Sequence, residues 1–381
     1  MTRGVAPQGS GTVTARQDRA EGGVATTPPS GGTPARDRWR PVTHAVSYIS
    51  RRVAITAALL LGVTVMTFLI VQAVPGDAAS ANLSETALND PEVVAAYRAK
   101  WGLDQPLPVQ YWVYLTSVLQ GDLGISQQTG RPVLGDLLTY VPATLEIALP
   151  AMLLAIVIGT AVGLYAAVHH DRTGDQVVRL GTLVGLSTPS FWLSLVVLYV
   201  FFYMLGLAPS GGRLSPWMVP PERVTGMVTV DAALAGQWDV WWDAVQHLAL
   251  PVLVLTSLTV AVLTRFVRSA MLEVLDADYI RAARAKGLPE RTILRRHVLR
   301  AGLVPVITVS GLAFASLLSG TVLVEQVFSW PGMGQYAYRA ASGLDLPAIM
   351  GVSLFVALVY TAVNLAVDLL YGVIDPRIRV S

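Results

Sequence analysis

The segment VAITAALLLGVTVMTFLIVQAV, residues 53–74, carries no charged side chain anywhere along its length. A helix needs about 20 predominantly apolar residues to cross the hydrocarbon core of a bilayer. A cleavable signal peptide has a shorter apolar region, of roughly 7–15 residues, close to the first residue of the chain. This segment is too long and lies too far along the chain, so we predict a retained membrane-spanning helix.

The composition of the whole chain also indicates a membrane protein. Of its 381 residues, 53% are hydrophobic and only 14% are charged, whereas an average soluble domain has about 25% charged residues. One soluble core cannot bury so much apolar surface, so the lipid bilayer is the predicted solvent. The net charge of +2 argues against nucleic acid as a partner, and the absence of cysteine excludes disulfides and a thiol nucleophile.

Further long apolar segments follow the first one. We therefore predict an all-α membrane protein with six transmembrane helices, at about 53–74, 142–168, 178–207, 246–270, 302–327 and 348–372. Residues 1–46 are rich in Gly, Pro, Thr, Ser and Arg, and are predicted to form a disordered cytoplasmic tail. Residues 47–381 are predicted to form one transmembrane domain, with outer loops at 75–141 and 208–245.

Charge placement predicts the orientation of the spans. Arginine and lysine are concentrated at the end of the tail, in the loop between the fourth and fifth spans and at the C-terminus. The loop at 75–141 carries more acidic than basic residues. Cytoplasmic loops carry the excess of Lys and Arg. Six spans place the three basic regions on one side, so both termini are predicted to be cytoplasmic.

The first outer loop has helical patterns of its own. DPEVVAAYRAKWGL, residues 90–103, has proline near a helix start and glycine just past its end. PVQYWVYLTSVLQ, residues 108–120, is predicted to be an amphipathic helix with Trp112 and Tyr114 at membrane-interface depth. The tripeptide starting at Asn82 matches a glycosylation sequon, which a chance match explains.

The most charged stretch between two predicted spans is DYIRAARAKGLPERTILRRHVLR, residues 278–300. Residues 271–286 are predicted to be helical, Gly287 to end that helix, and Pro289 to begin a second one. Ala282 and Ala283 leave a small surface for close approach just before the turn. The segment 271–300 is either only an orientation signal or a docking element for a partner. A DNA-binding interpretation is disfavoured because both of its ends lead into membrane spans.

Several motifs together resemble one family. RAARAKG, residues 281–287, resembles the EAA loop of ABC-importer permeases, with Arg281 where the general motif has glutamate. Other segments are similar to the dipeptide, oligopeptide and nickel branch of that family, in the family's order and spacing: VPGDAA at 74–79, WGLDQPLPVQYW at 101–112, GDLGIS at 121–126, TPSFWL at 188–193, VFSWPGMGQ at 327–335 and YGVIDPRIR at 371–379. The resemblance covers the chain from about residue 47 to its end.

The resemblance implies a type I ABC-importer permease fold in the bacterial plasma membrane. It implies a permease subunit of an ATP-driven, binding-protein-dependent importer of di- or oligopeptides. The implied partners are a second homologous permease, two ATP-binding subunits (or one two-domain ATPase) and an extracytoplasmic substrate-binding protein. The residues implied to couple to the ATPase are Arg281, Ala282, Ala283, Lys286, Gly287 and Leu299.

The VFSWPGMGQ segment has two interpretations. Its aromatic residues could belong to the interfacial aromatic belt, with its glycines and proline forming a tight turn. The resemblance instead implies an outer-mouth loop that faces the binding protein. The residues of that implied loop are Glu325, Phe328, Trp330, Pro331, Gly332 and Gly334.

The sequence offers no energy source of its own. Its two lysines, Lys100 and Lys286, do not precede Ser or Thr, so there is no G-x-x-x-x-G-K-[ST] phosphate-binding loop. We predict no catalytic residues, no metal and no cofactor. Import of nickel or another small solute stays open as an alternative. An ion-coupled carrier would be expected to hold acids near the bilayer midplane, whereas Glu146, Glu325 and Asp368 lie near predicted span ends.

Overall fold

The apolar segments form helices in the computed structural model, which describes residues 40–73 and 88–374. The helices are α1 (Arg40–Ala73), α2 (Pro91–Trp101), α3 (Leu107–Leu119), α4 (Val133–Val168), α5 (Thr173–Ser187), α6 (Ser190–Leu198, continued by the π-helical turn Tyr199–Met204), α7 (Val228–Leu234), α8 (Trp238–Leu275), α9 (Asp278–Ala285), α10 (Glu290–Thr292, continued by the π-helical turn Ile293–Val298), α11 (Leu299–Gly320), α12 (Val322–Val327), α13 (Met333–Ser342) and α14 (Leu346–Ile374). In the described residues, β-pairing is limited to an isolated bridge between Ile125 and Pro132. The predicted all-α class is confirmed.

The described helices provide four to six candidate membrane spans. α1, α4, α8 and α14 are each long and apolar enough to cross a bilayer. Two bent pairs pass the same test if each counts as one span. α5 with α6 is bent by 99°, and the region from Glu290 to Leu318 is bent by 49°. The prediction of six spans therefore equals the larger number, which counts each bent pair as one span.

Several helices extend beyond the predicted spans. α4 begins at Val133 rather than 142, and α8 covers Trp238–Leu275 rather than 246–270. Average hydropathy detects the part of a helix inside hydrocarbon, and amphipathic ends continue past it. α1 begins at Arg40, inside the predicted tail. Residues 1–39, 74–87 and 375–381, which contain most of the tail, Asn82, the VPGDAA motif and the last basic residues, lie outside the described residues.

The two helices predicted within residues 75–141 both form. α2 has Asp90 as its N-cap and ends at Gly102, which has a left-handed φ of 62°. In α3, Trp112 is exposed, whereas Tyr114 is buried and stacks on Phe68 of α1. Tyr114 was predicted at the membrane interface, but it faces inward because α1 covers its side of α3.

α4 and α8 pack at very short range through two glycines. A Cβ atom added to Gly159 would lie 2.8 Å from Leu263 Cβ, and one added to Gly163 would lie 2.8 Å from Val267 Cβ. Small residues spaced four apart let the backbones of two membrane helices approach closely. Leu263 and Val267 are fully buried at this contact. α8 also contacts α5, α6, α7, α11 and α12, so the α4–α8 pair is the centre of the helix packing.

The pair of α5 and α6 is broken at Thr188 and Pro189. Thr188 has an extended backbone with ψ of 121°, because a residue before proline avoids the helical region. The Thr188 hydroxyl donates to the Val184 carbonyl at 2.7 Å and so satisfies one carbonyl at the end of α5. Phe191 and Trp192, just after the break, are about half exposed. The segment at 178–207, which we predicted to be one continuous span, is therefore broken into two helices.

An ion pair fixes the start of α5 on α8. Arg268 donates to both carboxylate oxygens of the fully buried Asp175, at 2.6 and 2.7 Å. Such bidentate pairs are strong because two parallel hydrogen bonds also carry opposite charges. The two residues lie 93 positions apart in the chain, so no local pattern in the sequence indicates this pair.

Substitution of Gly163 by valine should destabilise the protein by about 1–3 kcal/mol, because the added atoms would overlap Val267 and the Thr264 carbonyl. Gly181→Val in α5 is the matched control, since a Cβ there meets nothing within 4 Å. Thermal unfolding of the purified protein in detergent would measure both. Equal losses in the two variants would contradict the close-contact explanation.

Candidate functional site

The charged segment between the fourth and fifth spans forms two short helices joined by a tight turn. α8 ends at Leu275, and α9 begins at Asp278 after a two-residue break at Asp276 and Ala277. The predicted helix over 271–286 is therefore interrupted. Gly287 follows α9 with φ of 76°, the left-handed conformation that the sequence predicted there. Pro289 caps the next helix rather than lying inside it.

One face of the predicted coupling segment (residues 271–300) packs onto the rest of the chain. Ile280 and Ala283 of α9 are buried, in one apolar cluster with Met271, Ile293 and Val298. These apolar contacts hold α9 against the C-terminal end of α8, so the two short helices have a firm base.

The predicted coupling residues divide between the two faces of the segment. Arg281, Ala282, Lys286 and Gly287 are exposed, and Leu299 is half-buried. Ala283 is only 8% exposed. The expected small surface before the turn is therefore provided by Ala282, while Ala283 belongs to the interior of the chain.

Two ion pairs lie on the exposed face of this segment. Arg284 donates to Glu290 at 2.8 Å across the turn, and Arg281 pairs with Asp278 one turn earlier. Exposed ion pairs contribute little, typically about 0–1 kcal/mol. The shape of the turn consequently depends on the apolar base and on Gly287 more than on these charges.

The second candidate region, residues 325–335, is organised around a buried glutamate. Glu325 is fully buried and accepts hydrogen bonds from Thr144 Oγ1 at 2.7 Å, from Thr321 Oγ1 at 2.9 Å and from the Gln335 amide at 2.9 Å. A Cβ atom on Gly334 would lie 2.7 Å from Val322 Cα, and one on Gly332 would overlap the Glu325 carboxylate. The two glycines are needed because the chain passes directly over this carboxylate.

The aromatic residues of that region point inward. Phe328 and Trp330 are each 1% exposed. The Trp330 Nε1 donates to the Ala143 carbonyl at 2.8 Å, and the Arg213 guanidinium lies 5.8 Å from its ring centroid. Neither side chain belongs to an interfacial belt in this structure. Glu325, Phe328 and Trp330 are therefore buried inside the loop, whereas Ser329 between them is exposed.

Sequence reasoning missed the ion pair that ties the second predicted outer loop to α4. Glu146 is 4% exposed and accepts from Arg213 Nε at 3.1 Å and from the Thr229 amide at 2.6 Å. The sequence did indicate that Glu146 needs a partner, because it lies inside an apolar helix and a buried charge is stable only when it is paired. The partner lies 67 residues away, which no local pattern indicates.

Two further buried aspartates organise the two predicted outer loops. Asp345 accepts from Ser126 Oγ at 2.6 Å and joins the first outer loop to the start of α14. Asp231 accepts from the backbone amides of Thr225 and Gly226. Burial by itself would raise the pKa of Asp231, but these hydrogen bonds outweigh it and hold that pKa below its usual value.

In the described residues, one group of side chains has the spacing of a metal site: His170, Asp171 and Asp175. Both carboxylate oxygens of Asp175 are engaged by Arg268. That carboxylate is therefore already neutralised by an arginine.

Comparison with known families agrees with this arrangement. Residues 159–380 match the family model described as "Binding-protein-dependent transport system inner membrane component", and residues 45–148 match the model of the N-terminal part of such components. A probable D,D-dipeptide transport system permease protein of Escherichia coli K12 is 47% identical over 84% of this chain and 94% of that protein.

Other relatives align over almost their entire length. A dipeptide transport system permease protein of Alkalihalophilus pseudofirmus is 39% identical over 88% of this chain and 99% of that protein. A di/tripeptide transport system permease protein of Pseudomonas aeruginosa is 41% identical with the same coverage. The chain therefore belongs to the family of binding-protein-dependent transport system inner membrane components, with the type I ABC-importer permease fold, and is a multi-pass protein of the bacterial plasma membrane.

Proposed function

We propose that the chain is the permease subunit of an ATP-driven importer of di- or oligopeptides. The observation that carries this proposal is the alignment, over nearly the whole length, with permeases whose names specify dipeptide or di/tripeptide transport. Import of nickel or another small solute is the alternative within the same family, and these relatives do not favour it. An ion-coupled carrier is disfavoured because Glu146 has a specific partner in Arg213.

The permease would perform no ATP hydrolysis of its own. Two ATP-binding subunits, or one two-domain ATPase, would dock on the coupling segment from the cytoplasm. A second homologous permease would enclose the other half of the pathway, and an extracytoplasmic binding protein would deliver the peptide. The loop built on Glu325 would face that protein on the outer side.

The helix geometry suggests how force would pass from the ATPase to the pathway. α8 has 38 residues, which corresponds to a helix about 57 Å long at 1.5 Å per residue. Its cytoplasmic end carries α9 across the two-residue break, and its length contacts α4, α5, α6 and α11. A displacement of α9 would therefore move α8 and the helices packed on it as a body.

Reconstitution would test the transport function. Proteoliposomes containing this chain, its partner permease, the ATPase subunits and the binding protein should take up a dipeptide only when ATP is supplied. The pure chain should hydrolyse no ATP, because the sequence lacks a phosphate-binding loop. Uptake driven by an ion gradient without ATP would contradict the proposal, and ATP-dependent uptake of nickel without uptake of peptide would favour the alternative.

Variants of the turn would test the coupling role. Gly287→Val should uncouple transport, because a β-branched residue at φ of 76° is strained by about 1–3 kcal/mol. Gly287→Asn is the matched control and should retain most uptake, since asparagine tolerates this conformation. Ala282→Asp should also weaken ATPase binding by placing a charge on the exposed docking face, whereas Arg296→Gln should have little effect.

Uptake of peptide and co-purification of the ATPase with each variant are the measurements. Equal activity of Gly287→Val and Gly287→Asn would contradict the explanation by backbone strain at residue 287. Normal uptake and normal ATPase association in Ala282→Asp would show that the segment is only an orientation signal.

Single-cysteine labelling would test the proposed orientation, which the distribution of basic residues supports. The chain has no native cysteine, so no background needs to be removed. A membrane-impermeant maleimide added outside should label Gln120→Cys and leave Glu290→Cys unlabelled; both native side chains are exposed. Labelling of both positions from one side would rule out the six-span arrangement.

A further inference from the structure

Helix α5 is attached to the rest of the chain by very few side chains. Of its 15 residues, all of which the structure describes, Asp175 alone is buried. Most of its large apolar side chains are exposed: Val177, Leu180, Leu183, Val184 and Leu186. Helices in lipid are held by close contact and by buried polar interactions rather than by apolar burial. The position of α5 therefore depends strongly on the contacts of Asp175.

The Asp175 carboxylate joins three parts of the chain. Arg268 of α8 donates to both of its oxygens, at 2.6 and 2.7 Å. The backbone amide of Asp171, in the turn between α4 and α5, donates to Oδ2 at 3.1 Å. Asp171 has a left-handed φ of 59°, which is uncommon for a residue other than glycine. The carboxylate thus fixes the turn and the start of α5 relative to α8.

Arg268 lies between two other contacts that hold α8. The preceding residue, Val267, packs on Gly163 of α4. Three residues after Arg268, Met271 belongs to the apolar cluster on which α9 packs. These positions span about one helical turn. The attachment of α5 is therefore one turn away from the base of the predicted coupling segment.

A second contact between α5 and α8 lies near the other end of α5. A Cβ atom added to Gly185 would lie 2.8 Å from Ala261 Cβ, so the two helices touch at both ends of α5. Just after this contact the chain breaks at Thr188 and Pro189, where α5 and α6 meet at 99°. α5 is therefore not a rigid continuation of α6.

We propose that Arg268 and Asp175 are positioning residues for transport, whose ion pair makes α5 follow α8 when the ATPase displaces the coupling segment. This inference rests on the proposed function, in which the ATPase acts on α9. Stability alone is a weak reason for such a pair, because apolar side chains of similar volume often stabilise a buried site equally well. An arginine–carboxylate pair adds a fixed orientation, since the planar guanidinium must face both oxygens at once. α5 would therefore shift and turn with α8.

Peptide uptake per ATP hydrolysed would test the ion pair. The full chain would be assembled with its partner subunits in proteoliposomes, and dipeptide uptake and ATP hydrolysis would be measured on the same vesicles. Asp175→Asn and Arg268→Lys should still hydrolyse ATP but should lower the uptake per ATP by about two- to thirtyfold, the range for residues that carry coupling between sites. Arg265→Lys, on an exposed position of α8, is the matched control and should keep the wild-type ratio.

The ratio separates coupling from folding, because a loss of folded complexes lowers both rates together and leaves the ratio unchanged. A wild-type ratio in Asp175→Asn and Arg268→Lys would overturn the proposal. Absence of uptake by the wild-type assembly would instead contradict the proposed function.

A disulfide keeps the test decisive if those variants fail to assemble. The chain has no native cysteine, and the 2.8 Å between the Gly185 and Ala261 Cβ positions is within about 1 Å of the mean separation in disulfides. Gly185→Cys combined with Ala261→Cys should take up peptide equally well when oxidised and when reduced, because α5 and α8 move together. In the Asp175→Asn background, oxidation should raise the uptake per ATP towards the wild-type value. Loss of uptake on oxidation that reduction restores would overturn the proposal, since α5 would then have to move relative to α8.

Discussion

The close contact of α4 and α8 determines where the other helices can lie. It exists because Gly159 and Gly163 leave no side chain between the two backbones. In lipid, helices gain little from apolar burial alone, so van der Waals contact at short range and buried hydrogen bonds must hold them together. α8 then becomes the common support: Arg268 attaches α5 to it, and the apolar cluster around Met271 attaches α9.

The features that the sequence predicts correctly are those set by local physics. The apolar segments, the helix at Pro91–Trp101 and the left-handed conformation of Gly287 each follow from composition or from backbone preferences within a few residues. Helix ends were less accurate, because hydropathy reports the hydrocarbon thickness rather than the length of the helix. α8, for example, begins eight residues before and ends five residues after the predicted span at 246–270, since it covers Trp238–Leu275.

The remaining features depend on contacts between distant parts of the chain. Glu146 and Arg213, or Ser126 and Asp345, are brought together only by the complete fold. The local sequence also could not show that Ala282 is exposed and Ala283 buried. That difference depends on which side of α9 packs against the apolar cluster around Met271. A buried acid in an apolar helix does signal that a partner exists, although it does not identify that partner.

The break at Thr188 and Pro189 has a consequence for how the subunit survives before assembly. A helix leaves several amides and carbonyls unpaired at each end, and hydrocarbon offers them no partner. A discontinuous helix at this depth is tolerated only where protein or water covers it. A newly inserted single copy would present this break, together with the half-exposed Phe191 and Trp192, to the acyl chains. If the second permease proposed above covers this break, the lifetime of an unassembled copy in the cell should depend on how quickly that proposed partner is synthesised, which would tie the abundance of one polypeptide to that of another.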